Sequence, residues 1–414
     1  MRERGPHWMR YRAVLLAWSM FLVSACTSSP ATPSASSATH VSPAESSRAE
    51  SSSSSGAGIT VSQWREVKPS PLAHLTQTYP PAWSGTRFVI AGHPLTSPPK
   101  RTDDVQLWTS PDGQGWSTSP VASKGYPLAY AFDGRAGVAV GSVGEQAAVW
   151  TSPDSRTWTR IPNPAALTLA TREVSLALSD VAHGPVGYVA LANLGLALNA
   201  QETIGESLVM WSPDGHDWHR VPAGPFENSD LDNVVVVHGR YLISGSLHTT
   251  PTLWTSLDGR VWAKQPALEH GPSTFIALAA RTSGALLTGL ESGSGISCVQ
   301  WSSLDGLTWT RINGGCPTGV ADVVAAPFGF VASTPKPAIA DSGTGSAKPT
   351  ISSFPCAGGI EVSTTGKRWI CVLPPPSVSI SSVAASQSLL LITGFQVASP
   401  NALGIWLADV RIEG

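Results

Sequence analysis

The sequence predicts an all-β fold: a seven-bladed β-propeller of four-stranded antiparallel blades, closed into a ring by its N-terminal strand, residues 59–67. Three observations predict it. A tryptophan-flanked turn segment recurs along the chain, Gly-bounded apolar runs precede the copies, and the strand pattern begins with the last strand of a blade and ends with the third. Ring closure removes the exposed edges that an open stack leaves. The alternatives are an open β-solenoid or a ring of six or eight blades.

The repeated segment is Leu-Trp-Thr-Ser-Pro-Asp-Gly-Gln-Gly-Trp at residues 107–116. Pro presets φ in a turn, Asp bonds nearby backbone and Gly accepts positive φ, so Ser-Pro-Asp-Gly predicts a turn between two strands. Further copies begin at Val149, Met210, Leu253 and Trp301, and an eroded copy begins at Glu361. We place Trp108 opposite Trp116 across the hairpin, with the same register in the later copies. Cross-strand aromatic pairs of this kind contribute about 0.2–1 kcal/mol each.

Each hairpin follows two further strand signals, so the unit has strands A, B, C and D, with the Asp-containing turn joining C to D. Near-continuous apolar runs such as those of strand B fit strands buried on both faces. The B runs are residues 88–92, 137–141, 187–191, 241–245, 285–289, 329–333 and 390–394. The first D strand, residues 61–67, precedes every B run, and the last C strand is residues 404–408. The N-terminal strand therefore completes the blade that the C-terminal strands begin.

The turn segment resembles the Asp-box of sialidases, sortilin-like receptors and many bacterial secreted propellers, whose pattern is Ser-x-Asp-x-Gly-x-x-Trp. The copies here are one residue shorter, Ser-Pro-Asp-Gly-x-x-Trp, and are similar to the propeller repeats of actinobacterial exported proteins. The resemblance covers most of residues 59–412. It implies a propeller whose box aspartates have a structural role on the outer hairpins, away from any ligand. The residues are Asp112, Asp154, Asp214, Asp258 and Asp305.

The N-terminal segment predicts export and a lipid anchor. Four arginines within residues 2–12 precede an apolar run, residues 13–23, that is too short to span a membrane as a helix. Val-Ser-Ala-Cys at residues 23–26 resembles a bacterial lipobox, which implies a diacylated Cys26. We therefore predict a signal peptide at residues 1–25, a disordered Ser/Ala/Pro-rich linker at 26–58 and the propeller at 59–414. The alternative is an ordinary secretory signal with a coincidental cysteine.

Four further cysteines in an exported chain predict two disulfides. Three connectivities are possible. We favour Cys298–Cys316 and Cys356–Cys371, because each pair flanks one hairpin, although the assumed register places Cys298 opposite Ile312. No CxxC or Cys/His cluster suggests metal binding, and no cofactor is predicted.

Composition excludes one class of partner. Only 13% of the residues are charged, the formal net charge is −2, and no basic stripe interleaved with aromatics occurs, so we expect no nucleic-acid binding. We expect a monomer at the outer side of the cell membrane. A Ca²⁺ ion in the central channel is conceivable, but no EF-hand-like loop supports it.

The D–A and B–C loops share the face opposite to the C–D turns and vary in length, which is typical of a binding face. We predict that this loop face binds a protein, a glycan or a small ligand without catalysis. The candidate residues are His93, Arg101, Arg172, Glu202, His248 and His270.

The alternative is a sialidase-like glycosidase acting on extracellular glycans. That reaction needs three arginines on a carboxylate, a Tyr–Glu nucleophile pair and an acidic Asp near the channel. Arg160-Ile161-Pro162 resembles the family's Arg-Ile-Pro stretch, yet it continues a D strand. No catalytic residue is therefore assigned. A redox propeller lacks a cofactor signature.

Overall fold

The computed structural model of the chain describes residues 54–56, 58–94, 105–119, 125–144, 146–162, 165–167, 174–199, 202–269, 271–292, 296–313, 316–317, 322–333, 356, 358–397 and 399–413. The predicted signal peptide, Cys26 and most of the predicted linker lie outside the described residues. Within the described part of the chain, no helix combines the length and apolar composition that a membrane crossing needs.

The described residues form seven antiparallel sheets in the predicted A-B-C-D strand order. Blade 1 consists of β4 (Leu75–Thr78), β5 (Ala82–Trp83), β6 (Phe88–Pro94), β7 (Gln106–Ser110) and β8 (Ser117–Ser119). Blade 2 consists of β9 (Tyr126–Asp133), β10 (Ala136–Val143), β11 (Gln146–Ser152) and β12 (Thr159–Arg160). Blade 3 consists of β13 (Val174–Gly184), β14 (Gly187–Asn199), β15 (Glu202–Ser212) and β16 (His219–Arg220).

The remaining blades repeat this plan. Blade 4 consists of β17 (Ser229–Val237), β18 (Arg240–Leu247), β19 (Thr250–Ser256) and β20 (Ala263–Lys264). Blade 5 consists of β21 (Thr274–Arg281), β22 (Gly284–Ser292), β23 (Ile296–Ser303) and β24 (Thr310–Ile312). Blade 6 consists of β25 (Asp322–Ala326), β26 (Gly329–Ser333), β27 (Ile360–Ser363) and β28 (Ile370–Val372). Short 3-10 helices occur at Ala165–Leu167 and Gly224–Phe226.

Blade 7 joins the two ends of the domain. Its strands are β29 (Val378–Ala385), β30 (Leu389–Gln396), β31 (Ser399–Ile412), β2 (Ile59–Val61) and β3 (Arg65–Glu66), while β1 (Ser54–Gly56) pairs with β2. Val61 lies opposite Val410, and Glu66 lies opposite Trp406. The Arg65 guanidinium also forms an ion pair with Asp409. The predicted closure of the ring by residues 59–67 is confirmed.

Apolar clusters between adjacent blades hold the ring together. Trp108 of blade 1 packs in one cluster with Leu389 and Leu407 of blade 7. Equivalent clusters join blades 2 and 3, 3 and 4, 4 and 5, 5 and 6, and 6 and 7. Between blades 1 and 2, the rings of Tyr79 and Tyr126 meet edge to face with centroids 6.3 Å apart. Each blade therefore buries both of its faces, which explains the continuous apolar runs of the B strands.

The predicted hairpin register is wrong by two residues. Trp108 lies opposite Thr118, not Trp116. The turn is wider than assumed because the Asp112 carboxylate accepts the amide N–H groups of residues 114 and 115, each at 2.9 Å. The Trp116 indole then donates to the Gly113 carbonyl at 2.7 Å, so that this tryptophan belongs to the turn. The partners in later copies are Arg160 for Trp150, Arg220 for Met210, Lys264 for Trp254, Arg311 for Trp301 and Cys371 for Glu361.

The turn glycines of blades 1, 3, 4, 5 and 6 pack against the preceding blade, and Ser155, with φ of 56°, takes this position in blade 2. Gly306 of blade 5 has φ of +73°, and a Cβ there would lie 2.7 Å from Val237 and 2.9 Å from Leu242 of blade 4. Left-handed backbone disfavours other residues, and the close approach leaves no space for a side chain. The Asp turns therefore set the spacing of neighbouring blades as well as reversing the chain.

The structure contains the favoured disulfides, Cys298–Cys316 with Cα atoms 5.9 Å apart and Cys356–Cys371 with Cα atoms 5.4 Å apart. The first closes the β23–β24 hairpin near the loop face, where Gln300, not Cys298, lies opposite Ile312. In blade 6, Cys371 lies in β28, and its partner precedes β27. Both crosslinks lie within single blades and so constrain hairpins more than the ring.

Candidate functional site

The structure does not bring the six predicted loop-face residues together in its described part. Arg101, Arg172 and His270 lie outside the described residues. Glu202 begins β15 and pairs with Asn199. These positions remain predictions.

His93 was predicted on an exposed loop, but its side chain is only 1% exposed. The reason is that β6 extends to Pro94, so His93 lies inside a strand. Its Nε2 lies 2.8 Å from the Tyr79 hydroxyl, and its ring lies 4.7 Å from that of Tyr126. His93 therefore packs at the interface of blades 1 and 2 instead of facing solvent.

His248 is exposed, as predicted, in the tight turn between β18 and β19. Its φ of 57° lies in the left-handed region, and its backbone N–H donates to the Asn228 carbonyl at 2.9 Å. This bond ties the B–C turn of blade 4 to the start of its A strand. His248 thus has a local role in the turn and no described partner at its side chain.

A carboxylate that sequence reasoning missed lines the inner edge of the ring. Asp180 follows a β-bulge in β13. One of its oxygens accepts the N–H of Val181 at 2.9 Å, and the other accepts the N–H of Val234 in blade 4 at 2.8 Å. These are amides of inner strands, which have no further strand beside them. Asp180 therefore accepts backbone N–H groups at the inner edges of two blades, and this role is structural.

The Asp-turn carboxylates are engaged by their own turns. Asp305 accepts the Ser303 hydroxyl at 3.0 Å and the N–H groups of Leu307 and Thr308, each at 2.8 Å. These backbone donors lower the pKa of Asp305 to about 2. Asp112, Asp154, Asp214 and Asp258 accept the same set of bonds. In the eroded copy, the Thr365 hydroxyl accepts one amide at 3.3 Å in place of the carboxylate.

We expect Asp305→Asn to lower the free energy of unfolding by about 0.5–1 kcal/mol at pH 7, because a neutral amide is a weaker acceptor and the site is solvent-screened. The folded pKa lies near 2, below the usual 3.8, so the carboxylate's contribution is complete above that usual value and is lost as pH falls toward 2. Urea unfolding of both proteins at several pH values should show the difference shrinking toward acid. Asp217→Asn, at a carboxylate with no described side-chain bond, controls for charge; a difference independent of pH would contradict the assignment.

An open cleft lies at the outer rim, between blade 3 and the Asp turn of blade 4. Its volume is about 240 Å³. This rim cleft is lined by Trp211, His219, Arg220, Val221, Pro222 and Arg260.

The cleft exists because the tryptophan of blade 3 is displaced by one residue. In the C strands of blades 1, 2 and 4, Trp precedes Thr; in blade 3, Met210 takes the buried position and Trp211 takes that of Thr255. Successive side chains of a strand point to opposite faces, so Trp211 lies on the opposite face from Trp254. It is half-buried against the turn of Gly259, where a Cβ would lie 2.7 Å from the indole.

Two arginines and a histidine lie around the indole of Trp211. The Arg260 guanidinium carbon lies 4.5 Å from the ring centroid. The His219 ring stacks at 5.5 Å with an interplanar angle of 27°. Arg220 donates through Nε to the Ala166 carbonyl at 2.8 Å, which fixes the base of its guanidinium beside the cleft. The cleft thus combines an aromatic surface with two guanidinium groups, a pairing suited to an anion carried on a flat apolar scaffold.

The sialidase hypothesis requires three arginines at the channel mouth. Among the described residues of the inner strands, the one arginine is Arg281, at the A–B turn end, and it donates to the carbonyls of Pro327 and Thr364. Burial raises the pKa of Tyr188 and Tyr241 to about 12, and the Tyr241 hydroxyl donates to Gly187. The described mouth therefore lacks that catalytic set. Nor do the described residues include three or more His, Cys, Asp or Glu placed to hold a metal ion.

No family model and no curated protein matches the sequence. Solved structures do match. An acylaminoacyl peptidase of Pyrococcus horikoshii shares 10% identity with a TM-score of 0.51, over 83% of this chain and 53% of the peptidase, so this chain spans about half of that protein. The β-propeller domain of the Trilobed protease from Pyrococcus furiosus, described as having an open velcro topology, shares 10% identity with a TM-score of 0.50 over 81% and 94% of the two chains. At this identity the likeness shows the fold alone.

Proposed function

We propose that this protein is an exported, lipid-anchored binding module that acts without catalysis. The observation that carries the proposal is the rim cleft, where the half-buried Trp211 lies among Arg260, Arg220 and His219. Export is supported by the signal-like N-terminus and by two disulfides, which persist in oxidising compartments. Anchoring is supported by the lipobox-like Val-Ser-Ala-Cys that ends at Cys26.

The chemistry of the cleft favours an acidic saccharide as its ligand. A pyranose ring presents an apolar C–H face that packs on an indole, and a uronate carboxylate accepts paired hydrogen bonds from a guanidinium. The cleft is open to solvent at the rim, which suits a polymer better than a small enclosed molecule. The loop face remains a second predicted contact surface for a protein or glycan.

The test is binding of the propeller to a soluble polyuronate, measured by calorimetry against neutral dextran. We expect Trp211→Thr, which installs the residue of blades 1, 2 and 4, to weaken polyuronate binding by at least about tenfold. Arg260→Gln should have a similar effect, because it removes the guanidinium that lies over the ring.

Arg156→Gln is the matched control, since Arg156 occupies the position of Arg260 in blade 2, and blade 1 has Thr109 at the position that Trp211 takes in blade 3. It should leave binding within about twofold of the wild type. Equal binding of dextran and polyuronate, or equal losses in all three variants, would refute the assignment of the cleft.

A further inference from the structure

Large apolar side chains are exposed at the Asp turns of blades 4 and 5. Leu257 is 62% exposed, Val261 75%, Leu304 76% and Leu307 46%. We call these residues the turn patch. Leu257 and Leu304 occupy the second position of their turns, Leu307 directly follows its turn glycine, and Val261 is the second residue after its own. Single exposed leucines are ordinary, but four at the Asp turns of two adjacent blades place a group of large apolar side chains on one face of the ring.

The repeat itself shows that the fold does not require these residues. The position of Leu257 and Leu304 is occupied by Pro111, Pro153, Pro213 and Thr364 in the other copies. The positions of Leu307 and Val261 are occupied by polar residues such as Gln114 and Thr157. The five turns that contain Asp are held by the same bonds to the carboxylate, so their structural needs are the same. The stability of the turn therefore does not explain why blades 4 and 5 carry exposed apolar residues at these positions.

The exposure of the turn patch favours a lipid surface over a folded protein as its partner. Its side chains are exposed in the tight turns at the outer ends of two blades. A folded protein recognises such knobs by supplying a pocket for each, whereas lipid acyl chains close around them without a fixed shape. The charged residues within these two turns are of both signs, Asp258, Arg260 and Asp305, so the patch offers no strong preference for an anionic surface.

The chain enters the ring on the same face. A-B and C-D turns lie at one end of every blade, and a D strand begins at that end. Residue 59, the start of the ring-closing D strand, therefore lies at the Asp-turn face, where the Gly58 carbonyl accepts the N–H of Glu413 at 2.8 Å. Because β1 pairs with β2, the predicted linker runs from Cys26 to Ser54, about 27 residues, and a flexible chain of that length spans roughly 30 Å on average. A lipid at Cys26 would therefore tether the propeller through the chain segment that enters at this face.

We propose that the turn patch inserts into the interface of the bilayer to which the protein is anchored, so that the loop face points away from the membrane. The inference rests on the lipid anchoring in the proposed function. Insertion at the interface scales with the apolar area that is buried, and here it needs no net positive charge.

The test uses the chain from Thr27 onward, which retains every described contact but lacks the signal peptide and Cys26. Flotation with vesicles at millimolar lipid measures its binding to phosphatidylcholine and to mixtures with phosphatidylglycerol. We expect binding to both, changed less than about threefold by high salt. The combined variant Leu257→Pro, Val261→Thr, Leu304→Pro and Leu307→Gln takes each residue from another blade and should bind at least about tenfold more weakly at an unchanged melting temperature.

Leu373→Thr with Val397→Thr is the control, because both residues are exposed on the loop face. It should bind as the wild type does. Wild-type protein that fails to bind, a variant that binds equally, or a wild-type dimer that becomes monomeric in the variant would overturn the proposal. Labelling of the full chain with a palmitate analogue, abolished by Cys26→Ala, tests the anchor separately, so the two failures are distinguishable.

Discussion

Removal of residues 54–67 is expected to lower the free energy of unfolding by more than about 5 kcal/mol, which is comparable to the whole stability of many domains. Ile59, Val61 and Val67 are buried, and each contributes about 1.5–3 kcal/mol when it leaves water. The deletion also exposes the edge of β31 and the apolar cluster between blades 6 and 7. Thermal unfolding followed by circular dichroism should show a melting temperature lower by at least about 10 °C or a loss of cooperativity.

Two controls separate ring closure from simple shortening. Deletion of residues 27–53 removes no described contact and should leave the melting temperature unchanged. Addition of a peptide corresponding to residues 54–67 should restore part of the loss, because β2 and β3 dock through backbone pairing along β31. A deleted chain that melts as the wild type does would mean that the blade is complete without its N-terminal strand.

Trp254→Ala is expected to cost about 3–5 kcal/mol, the range for a large aromatic removed from a packed core. The Trp254 side chain has no exposed surface, and its indole N–H donates to the Pro225 carbonyl at 2.9 Å. It packs on Phe226, with ring centroids 5.7 Å apart, in the cluster that joins blades 3 and 4. Urea unfolding with fluorescence detection measures the change.

Trp211→Thr is the matched comparison, because it removes the same side chain from the opposite face of an adjacent C strand. Trp211 is half-buried at the rim, and Thr is the repeat's own residue at that position. The expected cost is about 1 kcal/mol. If both substitutions cost the same, the division of the tryptophans into a core set and a rim residue would be incorrect.

The blades were predictable because their physical requirements are local and repeated. A strand buried on both faces is largely apolar, and this tight turn favours Pro, Asp and Gly, so both signals recur with the blade. Ring closure was predictable because the strand pattern starts with a D strand and ends with a C strand. Each of these strands has unpaired backbone N–H and C=O groups that the other can bond. The structure confirms seven blades and that closure.

The hairpin register was not predictable from strand patterns alone. A slip of two residues leaves every side chain on the same face, so alternation does not distinguish the two registers. The turn sets the register, because one carboxylate accepts two amide N–H groups and the Trp116 indole donates to the Gly113 carbonyl. The recurrent Asp indicates a turn, but the hairpin register follows only when the hydrogen bonds of its carboxylate are known.

The rim cleft left a signal in the sequence that was not used. Trp211 departs by one position from the pattern of its repeat, and an odd-numbered shift moves a side chain to the other face of a strand. Leu257 and Leu304 are a second departure from the repeat, because they replace the Pro of the earlier copies. The burial of His93 was not predictable for another reason. Its side chain contacts Tyr79 of the same blade and Tyr126 of blade 2, and a strand pattern does not reveal such contacts.

The meeting of the two chain ends makes this ring suitable for circular permutation. Glu413 donates its N–H to the Gly58 carbonyl, and its carboxylate accepts the Thr60 hydroxyl at 2.7 Å, so a short linker could join the ends without disturbing β31. New termini opened beside Gly144, which is exposed in the turn between β10 and β11, would then leave blade 7 as a covalently continuous sheet. Such a permutant would shift the non-covalent junction of the ring to blade 2.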